Sequence, residues 1–224
     1  MAYSCGALIE YFNRRCLGKL SPLYKRFLYD AGRRLQGIVG DNGVSIRSTL
    51  KTLRRVGLPP ASCMFQDATA GADLSFDPLL YTFCADYYDL AYYRIDSIDL
   101  SPGQRLDLVR QLLQIGLPTV FGMPLLSCRS NDPRIDFRID AEVVGGAAGV
   151  FVGYDDTYRM SAAGALRFLS SWGREWGDSG LGWLSYKFIE EGLVRDIWTV
   201  FHPKWVEHGD LPIILHKSTT AHGN

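Results

Sequence analysis

The spacing of apolar residues shifts along this 224-residue chain from a helical period to strand-like runs, and no other feature restricts its fold as much. Residues 7–15 form an apolar and aromatic run ending in Arg14 and Arg15, the charge that a helix C-terminus prefers. Ser21-Pro22 reads as an N-cap with proline at the first helical position, opening a helix over 23–35. After the turn Asp41-Asn42-Gly43, Ser45 caps a third helix. In it Ile46, Leu50, Leu53 and Val56 recur at helical spacing until Gly57 and Pro59-Pro60 stop it. Residues 61–90, with Gly71 and Pro78, read as a loop-rich crossover, and 90–95 as a strand. Ser101-Pro102-Gly103-Gln104 has the form of a capping box, starting a helix through Leu106, Val109 and Leu113 to Gly116. Strands then dominate, over 118–126, 148–154, 166–171 and 181–186, with a polar, turn-rich stretch at 131–142. Helices first and strands later predict an α+β fold of two lobes: 1–85 helical, 86–200 rich in strand, and 201–224 a polar tail that reads as extended from His202 on.

With 47% hydrophobic residues the chain can bury one sizeable core or two smaller ones. Lysine plus arginine equals aspartate plus glutamate at 24 each, so there is no basic field to hold a nucleic-acid backbone or an anionic membrane. The first residues lack a basic stretch followed by an apolar core, and no segment approaches the roughly 18 apolar residues of a membrane span. Neither nucleic acid nor membrane is expected as a partner. The cysteines Cys5, Cys16, Cys63, Cys84 and Cys128 are odd in number, widely spaced and without a CxxC pair. That pattern predicts reduced thiols and an intracellular, reducing setting, either the cytoplasm or an assembled particle.

The segment LSSWGREWGDSGLGWLSY over 169–186 resembles the papain-family block in which NSWG is followed by WG and then by G-x-G before an aromatic residue. Trp172-Gly173, Trp176-Gly177, Gly180 and Gly182 carry the match. Upstream, GGAAGVFVGYDD over 145–156 resembles the family's histidine strand, commonly G-G-H-A-V-x-x-V-G-Y-D-D, and GLPTVFGMPL over 116–125 resembles the strand that often precedes it. The helix over 43–57 with Pro59, and the run 196–200, are also similar to segments of such proteins, so the likeness extends over about residues 7–200. It implies a papain-like fold with a helical lobe and an antiparallel, barrel-like lobe. The tryptophans are large apolar anchors and the glycines permit tight turns, so the same block serves as scaffold whether or not the site works.

The resemblance also implies where a cysteine peptidase would keep its thiol, imidazole, orienting amide and oxyanion donors. Aligned on GYDD, the family histidine falls on Ala147, which can neither take nor give a proton. All four histidines, His202, His208, His216 and His222, lie beyond the tryptophan block. The asparagine of NSWG falls on Ser170. Two registers compete for the nucleophile. Matching Glu10-Tyr11 to the Glu-Tyr pair of the family's helix puts the cysteine position just before Met1, as if the chain began inside the catalytic helix. Matching Ser4-Cys5-Gly6-Ala7 to the family's S-C-x-A makes Cys5 the candidate. In both, the oxyanion glutamine would precede Met1. A lone thiol with a pKa of about 8.5 would be only a few per cent thiolate at neutral pH and would lack a general acid for the leaving amine.

Other constellations carry less. The histidines are separated by six, eight and six residues, a spacing unlike a compact zinc motif, and no metal or other cofactor is expected. Asp155-Asp156 reads as the turn after the histidine strand, and Asp136, Asp140 and Glu142 as a solvated hairpin. Tyr87, Tyr88, Tyr92 and Tyr93 suit half-buried strands, Arg33-Arg34 and Arg54-Arg55 exposed helix faces, and Cys16, Cys63, Cys84 and Cys128 small buried or partly buried positions. The leading expectation is a non-catalytic papain-like domain. Its groove at Gly145, Gly146, Ala147, Ser170, Trp172 and Gly173 would hold an extended peptide or protein partner, or the chain would be a structural subunit docked through its tail. The alternative is an active cysteine peptidase or acyltransferase using Cys5 with a relocated histidine, His202 or His208.

Overall fold

The computed structural model describes residues 1–19, 21–63, 78–85, 87–97, 99–127, 131–138, 142–160 and 163–208. Gly71, Cys128, Asp140, His216, His222 and the side chain of His208, all singled out above, lie outside the described residues.

The central helix is α1, Ala2–Leu17, which starts earlier than the sequence pattern suggests. Cys5, Leu8, Ile9, Phe12 and Cys16 recur along one face and are buried over the whole length. Gly18 ends the helix in the left-handed conformation, its N–H donating to the Arg14 carbonyl. Two further helices flank it: α2, Lys25–Leu35, and α3, Ile46–Val56. Ser45 caps α3 as expected, its Oγ accepting the Ser48 N–H at 3.1 Å. Gly57 stops it at φ 76°, where a side chain would strike the Ala85 carbonyl 2.3 Å away; the close approach lets Leu58 bridge to Ala85.

Two expectations for this half are corrected. Ser21-Pro22 does not cap α2, whose N-cap is Tyr24 without a side-chain bond. The Leu23 N–H donates to Glu10 and the Tyr24 N–H to the Pro59 carbonyl, so tertiary partners hold the chain extended through the expected first turn. Arg33 is not on an exposed face either: only 2% of it is accessible. It shares the inward face of α2 with Asp30, 3.4 Å from it, and Asp30 in turn accepts from Arg26 Nε at 2.6 Å.

Among the described residues the second half forms a seven-stranded sheet ordered β1-β7-β2-β4-β5-β6-β3. Its strands are β1 Ala91–Arg94, β2 Thr119–Leu126, β3 Arg134–Ile135, β4 Val143–Arg159, β5 Ala163–Ser170, β6 Leu181–Ser185 and β7 Arg195–Phe201. All pairs are antiparallel except β3 with β6. The helix α4, Pro102–Gln114, has the expected capping box, with Ser101 and Gln104 each receiving the other's backbone N–H. Along β2 and β4 the side chains alternate between two cores. Val120 and Val150, directly paired, point to the core built on α1, whereas Phe121 and Phe151 point to the other and stack at 3.7 Å. Gly149 makes that stack possible, since a methyl there would lie 2.9 Å from Phe121 and 3.0 Å from Phe168. The Asp96 carboxylate, receiving the N–H groups of Asp196 and Ile197 at 2.8 and 3.0 Å, ties the end of β1 to β7.

Tyr87 is buried and Tyr92 packs on Trp198, but Tyr88 and Tyr93 are 68% and 57% exposed. Alternation on an edge strand turns Tyr93 out, and Tyr88 lies under the Arg54 guanidinium instead of in the core. The expectation of an extended stretch from His202 is also corrected over its described part. Pro203–His208 forms a helix, α6, after the four-residue α5 Lys187–Glu190. Trp205, 1% exposed, enters the α1 core and stacks on Phe12 with ring centres 4.5 Å apart. Burying one indole recruits a segment that its polar composition alone assigns to solvent. Trp205→Ala should therefore lower stability by about 3–5 kcal/mol in urea unfolding, the range for deleting a large buried aromatic, whereas Val39→Ala on the exposed turn should change it by less than about 0.5 kcal/mol.

Candidate functional site

The tryptophan and glycine block folds as a tight loop between β5 and β6. Ser170 closes β5 with its N–H on the Gly180 carbonyl at 2.9 Å, and its Oγ accepts the Trp172 N–H at 3.3 Å. Trp172 and Trp176 meet edge to face at 4.6 Å, and Trp176 continues onto Phe168. At Gly182 a side chain would stand 2.6 Å from the Trp176 ring and 2.8 Å from the Pro133 carbonyl, so the glycine is what admits the indole against β6.

Next to this loop β4 outruns β5. Pairing between them begins at Gly149 with Ser170, whereas on its other side β4 is paired with β2 from Val143 onward. Among the described residues, no strand lies opposite 143–147 on the β5 side, so alternate backbone groups there face outward. Gly146 would meet nothing within 4 Å on gaining a side chain, and Gly145 only a Leu125 methyl at 4.0 Å. The next residue along, Ala147, pairs with Met123 and packs with the core of Phe121 and Phe151. A pocket of about 120 Å³ opens beside this segment, between Met123–Leu126 of β2, the stretch 132–138, Trp172 and Trp176. Of this lining only Trp172 belongs to the groove expected from the sequence; Trp176 is expected there as scaffold and Asp136 as part of a solvated hairpin. A signal for it exists in the sequence: Asp132, Arg134, Asp136 and Arg138 alternate in charge at strand spacing, six residues after the apolar run of β2.

Cys5 sits on the inward face of α1 with no accessible surface. Burial pushes its thiol up to about 12, the nearby N-terminal charge opposing this and Asp196 adding to it. Cys5 belongs to the core on the helix side of the sheet and Ala147 to the core on the other side. His202 is buried between the rings of Tyr87 and Trp205, and its Nδ1 accepts the Lys204 N–H at 3.2 Å. Those partners face Phe12 and Asn13 of α1, seven and eight residues beyond Cys5, or about 10 Å along the helix axis. The structure thus does not bring His202 and Cys5 together.

The remaining candidates have structural partners. Asp155 accepts from the Thr157 N–H and hydroxyl, which hold its carboxyl below the usual range; Asp156 accepts from Arg110 and from the Tyr186 hydroxyl. Asp136 accepts the Phe137 N–H. Cys16 is buried, and Cys63 and Cys84 are partly so. Among the described residues, no group of three or more histidine, cysteine or acidic side chains is arranged to hold a metal, and no helix is long and apolar enough to cross a membrane.

No family model matches the chain, and no curated protein matches it either. Solved structures do. Xylellain, a cysteine protease from Xylella fastidiosa, superposes with a TM-score of 0.75 at 24% identity, over 90% of this chain and 78% of that one. A clostridial cysteine protease, Cwp84, gives 0.66 at 17% identity, over 90% and 53%. The digestive procathepsin L 3 of Tenebrio molitor larval midgut gives 0.58 at 17%, over 88% and 62%. The chain has the fold of papain-like cysteine proteases, an α+β arrangement as its sequence pattern predicts.

The buried thiol yields a test. In the native protein Cys5 should resist iodoacetamide at pH 7.5 while reacting fully in 6 M guanidinium, as read by mass spectrometry of its peptide. Because its folded pKa is raised, the contribution of Cys5 to stability is intact below the ordinary thiol pKa near 9 and is lost as pH climbs from there towards 12. Cys5→Ala should flatten that part of the stability profile; an unchanged profile would contradict the assignment.

Proposed function

We propose that the chain is a papain-like domain without peptidase activity that holds an extended peptide along the outer edge of β4. One observation carries the reading: among the described residues the glycine-bearing end of β4 has no strand paired on its β5 side, the side of Trp172, and strand addition to such an edge supplies main-chain hydrogen bonds without a nucleophile. The absence of catalysis is supported separately. Alanine occupies position 147 of the strand, Ser170 spends its Oγ on the turn at Trp172, and the thiol of Cys5 is enclosed in the helix-side core. A peptidase needs a thiolate and a proton donor within hydrogen-bonding reach of one another, and His202 is held among aromatic rings further along α1. A purely structural subunit, docked through residues 201–224, draws less support, because Trp205 at the start of that stretch packs into the protein's own core.

The test separates binding from turnover. N-acetylated, C-amidated octapeptides of mixed sequence should bind without being cleaved, with release of new amino termini at the level of a protein-free control. The double variant Gly145→Val with Gly146→Val, at positions with room for side chains, should keep its melting temperature within a few degrees and bind the same mixture about tenfold more weakly. Cleavage that disappears in Cys5→Ala would refute the inactive reading, and undiminished binding by the double variant would refute the edge.

A further inference from the structure

The pocket beside β4 has a chemistry more specific than a groove for any peptide. Its lining is about half apolar, with Met123, Leu126, Ile135, Trp172 and Trp176 supplying that part, and its volume of about 120 Å³ is close to that of cavities, about 150 Å³, that admit a benzene ring. It has room for one branched or aromatic side chain. Four charges, Asp132, Arg134, Asp136 and Arg138, border it. Arg134 is committed to Asp132, donating from Nε to Oδ1 at 3.1 Å and from Nη2 to Oδ2 at 3.0 Å, a two-pronged pair. Arg138 differs. It is exposed and, among the described residues, meets no hydrogen-bonding or ion-pairing partner. A planar guanidinium in the same lining as two indoles and aliphatic side chains matches a carboxylate attached close to an apolar group.

The pocket also lies beside that edge of β4. Met123, Pro124 and Leu125 pair with Ala147, Gly146 and Gly145, and Trp172 lies on the other side of that segment, so the lining flanks the glycine end of β4. A strand added to the edge would lie about 4.8 Å from β4 and present alternate side chains to this face.

We propose that the pocket receives the last residue of a peptide, its apolar side chain against Trp172 and Trp176 and its free terminal carboxylate on Arg138. This rests on the groove reading above and adds to it a preference for chain ends. The probes are two N-acetylated octapeptide mixtures, random except for a final leucine, one with a free carboxylate and one amidated, together with N-acetyl-leucine, each titrated calorimetrically against the full chain. The free acid should bind at least about tenfold more tightly than the amide, and Arg138→Gln should abolish that difference while leaving affinity for the amide unchanged. Equal binding of acid and amide would overturn the carboxylate site and leave the groove reading standing. Binding of neither would overturn both. N-acetyl-leucine binding as tightly as the octapeptide acid would assign the pocket to small carboxylic acids and overturn the peptide end, and an Arg138→Gln protein that keeps the preference would remove Arg138 from the site.

Discussion

The two cores of the described residues are organised around the contact between α1 and the sheet. Cys5, Leu8, Ile9 and Phe12 form one continuous buried face, and Val120, Val150, Trp198 and Val200 offer the apolar surface across from it. Because strand side chains alternate, the strands that supply Val120 and Val150 to this core must turn Phe121 and Phe151 to the other face, where a second core closes around their stack. The two cores are thus the two sides of the same strands. A helix that lost its grip would expose one and loosen the backbone that orders the other.

That arrangement has a chemical consequence for Cys5. A thiol used as a nucleophile has to reach solvent and be held near a positive charge or a helix start; a thiol used to fill the interface between a helix and a sheet must stay neutral, because an ion there would lose its hydration without a partner. Cys5 lies in the first turn of α1 with the N-terminal charge nearby, but its complete burial outweighs both and pushes its proton affinity up. The geometry at β4 has the opposite character. Where β5 stops at Ser170, the glycine end of β4 has no strand on that side among the described residues and lies near two indoles and a guanidinium.

Much of the fold was legible because its signals are local. Ser45, the capping box at Ser101 and Gln104, Gly57 and the two-residue alternation of the strands each act within a few residues of themselves, and each has its expected effect. The misreadings share a different cause. Ser21-Pro22 has the composition of a cap, but Glu10 and Pro59, distant in sequence, take the backbone donors that a helix start would present. Arg33 reads as solvated until Asp30 is brought inward with it, and the stretch after Phe201 reads as polar because a single tryptophan, stacked on Phe12, outweighs its charged neighbours.

By itself, then, the sequence determined the order of helices and strands, the turn chemistry of the tryptophan and glycine block, and the lack of any imidazole before His202. These follow from residue identity and short-range spacing. Only the tertiary structure decided that Cys5 is enclosed, that His202 is lodged among aromatic rings, and that the glycine end of β4 opens beside a pocket bearing Arg138. Accessibility and strand pairing depend on which segments meet across a hundred or more residues, and no window of the chain contains both partners.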